Sequence, residues 1–93
     1  MARPFRLQVE RSAEKEILSL PQKVRRQLEA TIDKLVETLN SGNWPRGMKP
    51  LKSEPGSYRI GSGDYRVVFD LSETDRVIMI YRVRHRRDVY RNL

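Results

Sequence analysis

Between residues 82 and 91 the chain sets five arginines, its single histidine, His85, and a tyrosine, Tyr90, against one acid, Asp88. The planar guanidinium fork pairs with phosphate oxygens two at a time, so this composition suits a polyanion. Upstream, Arg59 and Arg66 stand among alternating apolar residues. Successive side chains of a strand point to opposite faces. If the Tyr, Val, Phe and Leu set of these segments meets a core, Arg59, Arg66, Arg82 and Arg84 share the open face of one sheet. Phosphate binding is therefore the chemistry offered first. A merely solvated surface is the usual explanation of a charge run, but five arginines with a histidine and a tyrosine in ten residues favour a functional one.

The whole chain points the same way. Nineteen Lys and Arg against twelve Asp and Glu leave a net charge of +7, which favours nucleic acid, a ribosome or an acidic protein as partner. Ninety-three residues make one small domain, 1–93. The absence of cysteine excludes disulfides and thiolate metal sites, and one histidine excludes a His-rich zinc site, so no metal or cofactor is expected. There is no signal-peptide run and no stretch near the roughly 20 apolar residues of a membrane span. A cytoplasmic protein without membrane contact is the expectation.

The elements that must position the arginines follow from periodicity. Phe5, Leu7 and Val9 alternate with polar residues and predict a half-buried strand over 4–10. Ser12 offers a helix cap, and Pro21 interrupts that helix and suits the first turn of the next. Val24, Leu28, Ile32, Leu35 and Leu39 then fall on one stripe of a helix that runs to about Asn40, with Asn40, Ser41 and Gly42 ending it. Residues 41–56 are rich in Gly and Pro and lack a period. In that loop Trp44 and Met48 fold back as a small cluster over the sheet edge or stack on a partner, and Lys49 and Lys52 bring cations toward the sheet. Three strands complete the chain: one at Tyr58–Gly61, a second at Tyr65–Leu71 after a Ser62–Asp64 hairpin turn, and a third at Val77–Arg84 after a turn at Ser72–Asp75. Strict alternation sets Val77, Met79, Tyr81 and Val83 against Ile78, Ile80, Arg82 and Arg84. The fold class is α+β: an N-terminal strand, a two-helix hairpin and an antiparallel three-stranded meander completing one sheet, with both helices on one face.

This order, with Tyr58-Arg59-Ile60, Gly63-Asp64-Tyr65-Arg66 and His85-Arg86-Arg87-Asp88-Val89-Tyr90, resembles the RelE/ParE superfamily of bacterial and archaeal toxins over nearly the whole chain. The resemblance implies the RelE-like fold and a toxin held inactive by a cognate antitoxin, which presents a helix or strand with acidic residues to the basic surface. In the RelE branch such toxins cut messenger RNA in the ribosomal A site. In the ParE branch they poison DNA gyrase and the RNase residues are absent or degraded.

For the RelE branch the resemblance implies cleavage by the substrate's own 2′-hydroxyl, without metal. Such a site must deprotonate that hydroxyl, stabilise the phosphorane and protonate the leaving 5′-oxygen. Arg59, Arg66, Arg86 and Tyr90 match the family's functional positions, while Gly61 stands where some members carry a second lysine. Arginine is a poor base. Histidine, with an ordinary pKa of about 6.5, is the side chain suited to proton transfer. His85 and Tyr90 are thus assigned to acid–base work and Arg59, Arg66 and Arg86 to phosphate binding and transition-state stabilisation. Lys49, Lys52, Arg82, Arg84 and Arg87 are assigned to RNA binding. His85 as a strand-end cap and Tyr90 as a core anchor are the structural alternatives. A gyrase-binding toxin without chemistry and a plain RNA-binding domain are the functional ones.

Overall fold

The computed structural model of the protein describes residues 3–88. It contains β1 (Arg6–Val9), α1 (Arg11–Leu18), α2 (Gln22–Asn40), β2 (Lys49–Pro50), β3 (Ser57–Ser62), β4 (Tyr65–Ser72) and β5 (Val77–His85). The strands form one sheet in the order β1-β5-β4-β3-β2, with β1 parallel to β5 and the other pairs antiparallel. The α+β class and the meander read from the sequence are what the molecule has. Among the described residues, no helix is long and apolar enough to cross a membrane.

The first strand is shorter than residues 4–10. The Phe5 N–H donates to Asn40 Oδ1 at the end of α2 (2.7 Å) rather than to a neighbouring strand. At the other end Glu10 is the residue that caps α1, without a side-chain bond to the helix, so Ser12 lies within the first turn and is not the cap. Phe5 and Val9 of the alternating set pack against the core. Leu7 shares their face, opposite Ile78, but stays 40% exposed on the outermost strand, where it lines an open hollow with Ile17 and Leu18 of α1 and Ile32 of α2. Pro21, lacking a donor, occupies the cap position of α2 rather than its first turn, and the stripe of α2 buries Leu28, Ile32, Leu35 and Leu39. Ser41 caps the helix end, and Gly42 follows with a left-handed φ of 83°.

The strand β2 carried no periodic signal. Its two residues pair with β3 through Lys49 opposite Arg59 and Pro50 opposite Tyr58. The hairpin between β3 and β4 is a two-residue turn, Gly63–Asp64, with Gly63 at a φ of 59°. The turn to β5 runs through Arg76, a non-glycine at a φ of 56°. Its backbone is fixed by the Arg6 N–H donating to its carbonyl (2.8 Å), by its own Nε donating to Arg3 O (2.7 Å), and by its guanidinium lying 3.7 Å from the Phe5 ring centre.

Strict alternation fails in β5. Val68 pairs with Arg82 but Phe69 pairs with Ile80, so Tyr81 is an extra residue without a counterpart on β4, a β-bulge. Before it, Ile78 and Ile80 face the helices. After it, Val83 does, opposite Val67. The face reading of Val77 and Met79 is thereby corrected: they lie opposite Ser72 and Asp70, away from the core. The core is filled by Leu28 and Leu35 of α2 against Val67, Phe69, Ile78 and Ile80, all at most 1% exposed.

One polar contact closes an edge. Because β1 ends opposite Ile80, no strand among the described residues lies beside Val83 on that side of β5. Instead α1 supplies Glu16, whose Oε1 accepts the Val83 N–H (3.0 Å) while Oε2 pairs with Arg84. Losing this acceptor leaves a half-buried amide without its bond, which costs about 1–3 kcal/mol. Glu16→Ala is therefore expected to lower the unfolding free energy by about that amount in urea titration, while the exposed Glu14→Ala changes it by less than about 0.5 kcal/mol.

Candidate functional site

The register arranges the face away from the helices in rows. One row runs Lys49, Arg59, Val68, Arg82 across β2 to β5, and the next runs Gly61, Arg66, Arg84. Val68 is fully buried yet belongs to no core contact cluster, so two arginines flank an apolar floor. At the β2 side the face sinks into a hollow of about 260 Å³ lined by Arg46, Gly47, Lys49, Arg59, Gly61 and Arg66. Four of its six lining residues are cations and none is an acid. A larger hollow of about 640 Å³, between Arg3–Phe5, the end of α2 and Trp44, shares no residue with it.

Arg66 is held in place within the cationic hollow. Its Nη1 donates to the carbonyls of Gly63 (3.1 Å) and Tyr65 (3.0 Å), and the guanidinium lies over Gly61, its partner on β3. A Cβ on Gly61 would stand 3.0 Å from that Nη1 and 3.3 Å from Cζ. The glycine that replaces the expected lysine is thus the seat of the arginine beside it. In the other direction the rows change sign. Ser57 and Asp70 are paired in register, the Ser57 hydroxyl donates to Asp70, and Tyr81 reaches toward Glu54 (3.4 Å). Burial, above all, pushes the Tyr81 phenol above its ordinary pKa; the Ser57 hydrogen bond opposes this and the Glu54 and Asp70 carboxylates add to it. The phenol is therefore a protonated donor at neutral pH.

The sequence-predicted residues do not all converge. Lys49, Arg59 and Arg66 come together in the hollow, and Arg82 and Arg84 continue its rows. Arg84 is tied to Glu16 of α1. Lys52 is exposed in the following loop and does not line the hollow. His85 pairs in register with Tyr65, which places it on the helix face at the sheet's end. There its ring meets the Tyr65 ring edge-on at 5.4 Å, and its Nδ1 accepts the Arg87 N–H (3.3 Å). The Arg86 N–H donates to Asp64 O (2.7 Å) and its guanidinium lies 4.0 Å from the Asp64 carboxylate, so both belong to the rim at the β3–β4 turn. Tyr90 lies outside the described residues. Arg46 was missed: it stands in a loop without period, and only the pairing of β2 brings that loop to the sheet. In the same loop Met48 is buried with the core, while Trp44 stays 60% exposed, its Nε1 donating to Met48 O (2.9 Å) and its ring edge-on to Tyr58.

A helical hairpin on one face of a five-stranded sheet whose other face is cationic over one half belongs to a class of small toxins, as comparison with known proteins makes explicit. Residues 7–90 match the family described as the ParE toxin of the type II toxin–antitoxin system parDE, and the chain belongs to that family, within the RelE/ParE superfamily. No curated protein sequence matches. Among solved structures, the archaeal RelE–RelB complex of Pyrococcus horikoshii OT3 has a chain 26% identical with a TM-score of 0.73, covering 90% of this chain and 97% of that one. The intact E. coli RelBE toxin–antitoxin complex has a chain 31% identical with a TM-score of 0.66, covering 85% and 93%. The isolated E. coli RelE toxin, 24% identical over 96% and 99% with a TM-score of 0.71, shares the fold.

The seat of Arg66 yields a test. Gly61 does not have a left-handed φ, and a strand interior favours alanine over glycine by about 0.5–1 kcal/mol. Gly61→Ala is thus expected to leave thermal stability unchanged or slightly raised while displacing the guanidinium. A shifted Arg66 Nε–Hε signal by NMR without a fall in melting temperature by calorimetry is the expected pair of results.

Proposed function

We infer that this toxin is a ribosome-dependent messenger-RNA endonuclease that cleaves by attack of the 2′-hydroxyl, and that a cognate antitoxin holds it inactive. The observation that carries this reading is the hollow on the open face, where Lys49, Arg59 and Arg66 meet around Gly61 without a carboxylate in the lining. A phosphodiester placed there meets guanidinium donors on two sides, the arrangement that stabilises a phosphorane as charge builds on its oxygens. Arg59 and Arg66 hold the scissile phosphate, Arg86 stands at the rim, and His85 with Tyr90 moves the protons. Because His85 lies on the other side of β5 from Arg66, the nucleotide wraps the end of the sheet, past the Gly63–Asp64 turn, so that its phosphate and 2′-oxygen meet both groups. An antitoxin segment bearing acids neutralises the same rows. The complexes of RelE with RelB among the similar structures support such a partner.

The separation of His85 from the arginine rows also favours a second reading, a gyrase-binding toxin of the ParE kind without chemistry of its own. Mapping messenger-RNA 5′ ends after induction decides between them. Cuts in phase with codons are expected. Their absence, together with inhibited DNA supercoiling, would sink the RNase reading. Within the RNase reading, Arg66→Ala is expected to slow cleavage at least about 100-fold and His85→Ala by about 10²–10⁴. Both should relieve growth arrest, as should Arg86→Ala and Tyr90→Phe, with the circular-dichroism spectrum unchanged.

A further inference from the structure

Arg46 occupies an unusual position for a loop arginine. The Met48 N–H donates to Pro45 O (3.2 Å), closing a four-residue turn with Arg46 and Gly47 at its centre. Gly47 has a φ of 82°, the left-handed value that the third residue of a type II turn requires. Both ends of the turn are buried, at Pro45 and at Met48, which is 3% exposed. The Trp44 Nε1 donates to Met48 O (2.9 Å) and pins the turn from outside. The backbone at Arg46 is therefore fixed, while the residue itself is exposed and lines the cationic hollow with Lys49, Arg59 and Arg66. A fixed turn thus adds a cation to a hollow already lined by Lys49, Arg59 and Arg66, and a cleft lined by one sign of charge concentrates counter-ions of the other.

We propose that Arg46 and Lys49 form a second phosphate subsite at the β2 edge, adjacent to the phosphate held by Arg59 and Arg66. The inference rests on the reading of the open face as an RNA-binding surface. Neighbouring strands lie about 4.8 Å apart, so the row from Lys49 through Arg59 to Arg82 spans about 14 Å across the strands. The single-stranded backbone crosses the strands along that row and leaves the sheet over β2, where Arg46 takes its next phosphate. The ligand is a run of at least two consecutive phosphodiesters, and the subsite reads backbone, not base.

The test uses a 2′-O-methylated single-stranded RNA of about twelve nucleotides, which 2′-oxygen attack does not cut. Its affinity is measured by fluorescence anisotropy from about 50 to 200 mM salt. Each phosphate contact on a single strand contributes about 0.7 to the slope of log K against log salt. Arg46→Gln is expected to lower the slope by about 0.7, Lys49→Gln by a similar amount, and the exposed Arg26→Gln on α2 not at all. A slope unchanged by Arg46→Gln overturns the subsite while leaving the RNA-binding face intact. An equal loss in Arg26→Gln also overturns it, because binding is then diffuse attraction to the net charge. If the unmodified protein shows no salt-dependent binding, the RNA-binding reading falls and the subsite with it. Melting temperatures of the variants within about 2 °C of the parent show that the fold is retained.

Discussion

The one-residue bulge at Tyr81 is the constraint on which the division of this sheet depends. In β5, Ile78, Ile80, Arg82 and Arg84 share one parity. A regular strand therefore either carries arginines under the helices or turns isoleucines to the open face. Burying an unpaired charge costs several kcal/mol, and exposing two isoleucines forfeits about 1.5–3 kcal/mol each. The extra residue removes the conflict. Ile78 and Ile80 pack at 0% exposure, the parity shifts, and Arg82 and Arg84 emerge beside Val68 and Arg66.

The same shift sets the electrostatics and the limits of the site. One half of the open face is cationic, from Arg46 to Arg84. The other half holds Asp70 and Glu54 with the Tyr81 phenol between strand and loop. It also carries His85 to the helix side, against Tyr65. The arginines proposed to bind phosphate and the histidine proposed to carry protons thus stand on opposite faces of one strand end. The Gly63–Asp64 turn is the common neighbour: Gly63 O receives Arg66 and Asp64 O receives Arg86.

Much of this was legible in the residues. The stripe of α2, the alternation in β4 and the hairpin turn after β3, read over Ser62–Asp64 and closed in the fold over Gly63–Asp64 because Ser62 pairs with Tyr65, are local patterns, set by side-chain period and turn chemistry, and they fixed the class and the placement of Arg59 and Arg66. What periodicity could not show were events decided by pairing. The bulge leaves no mark in the Val77–His85 segment, because Tyr81 is as good a strand residue as its neighbours. The cap of α1 passed to Glu10 because the chain leaves β1 at Val9, and Leu7 stays exposed because β1 is an edge strand with an open hollow between it and the helices. Arg46 and β2 became part of the site only through the pairing of Lys49 with Arg59. Gly61, the departure from the family pattern, reads as a loss in the sequence and as the seat of Arg66 in the fold.

The central claim is that one face of the sheet, set apart by the bulge, receives the RNA backbone. Amide chemical shifts of the labelled protein, followed by NMR as a short single-stranded RNA is added, test it most directly. The account predicts that the shifts concentrate on Lys49, Arg59, Gly61, Arg66 and Arg82, with those of α2 from Gln22 to Asn40 unmoved. Shifts concentrated on α1 and α2, with the strand amides unmoved, would contradict it.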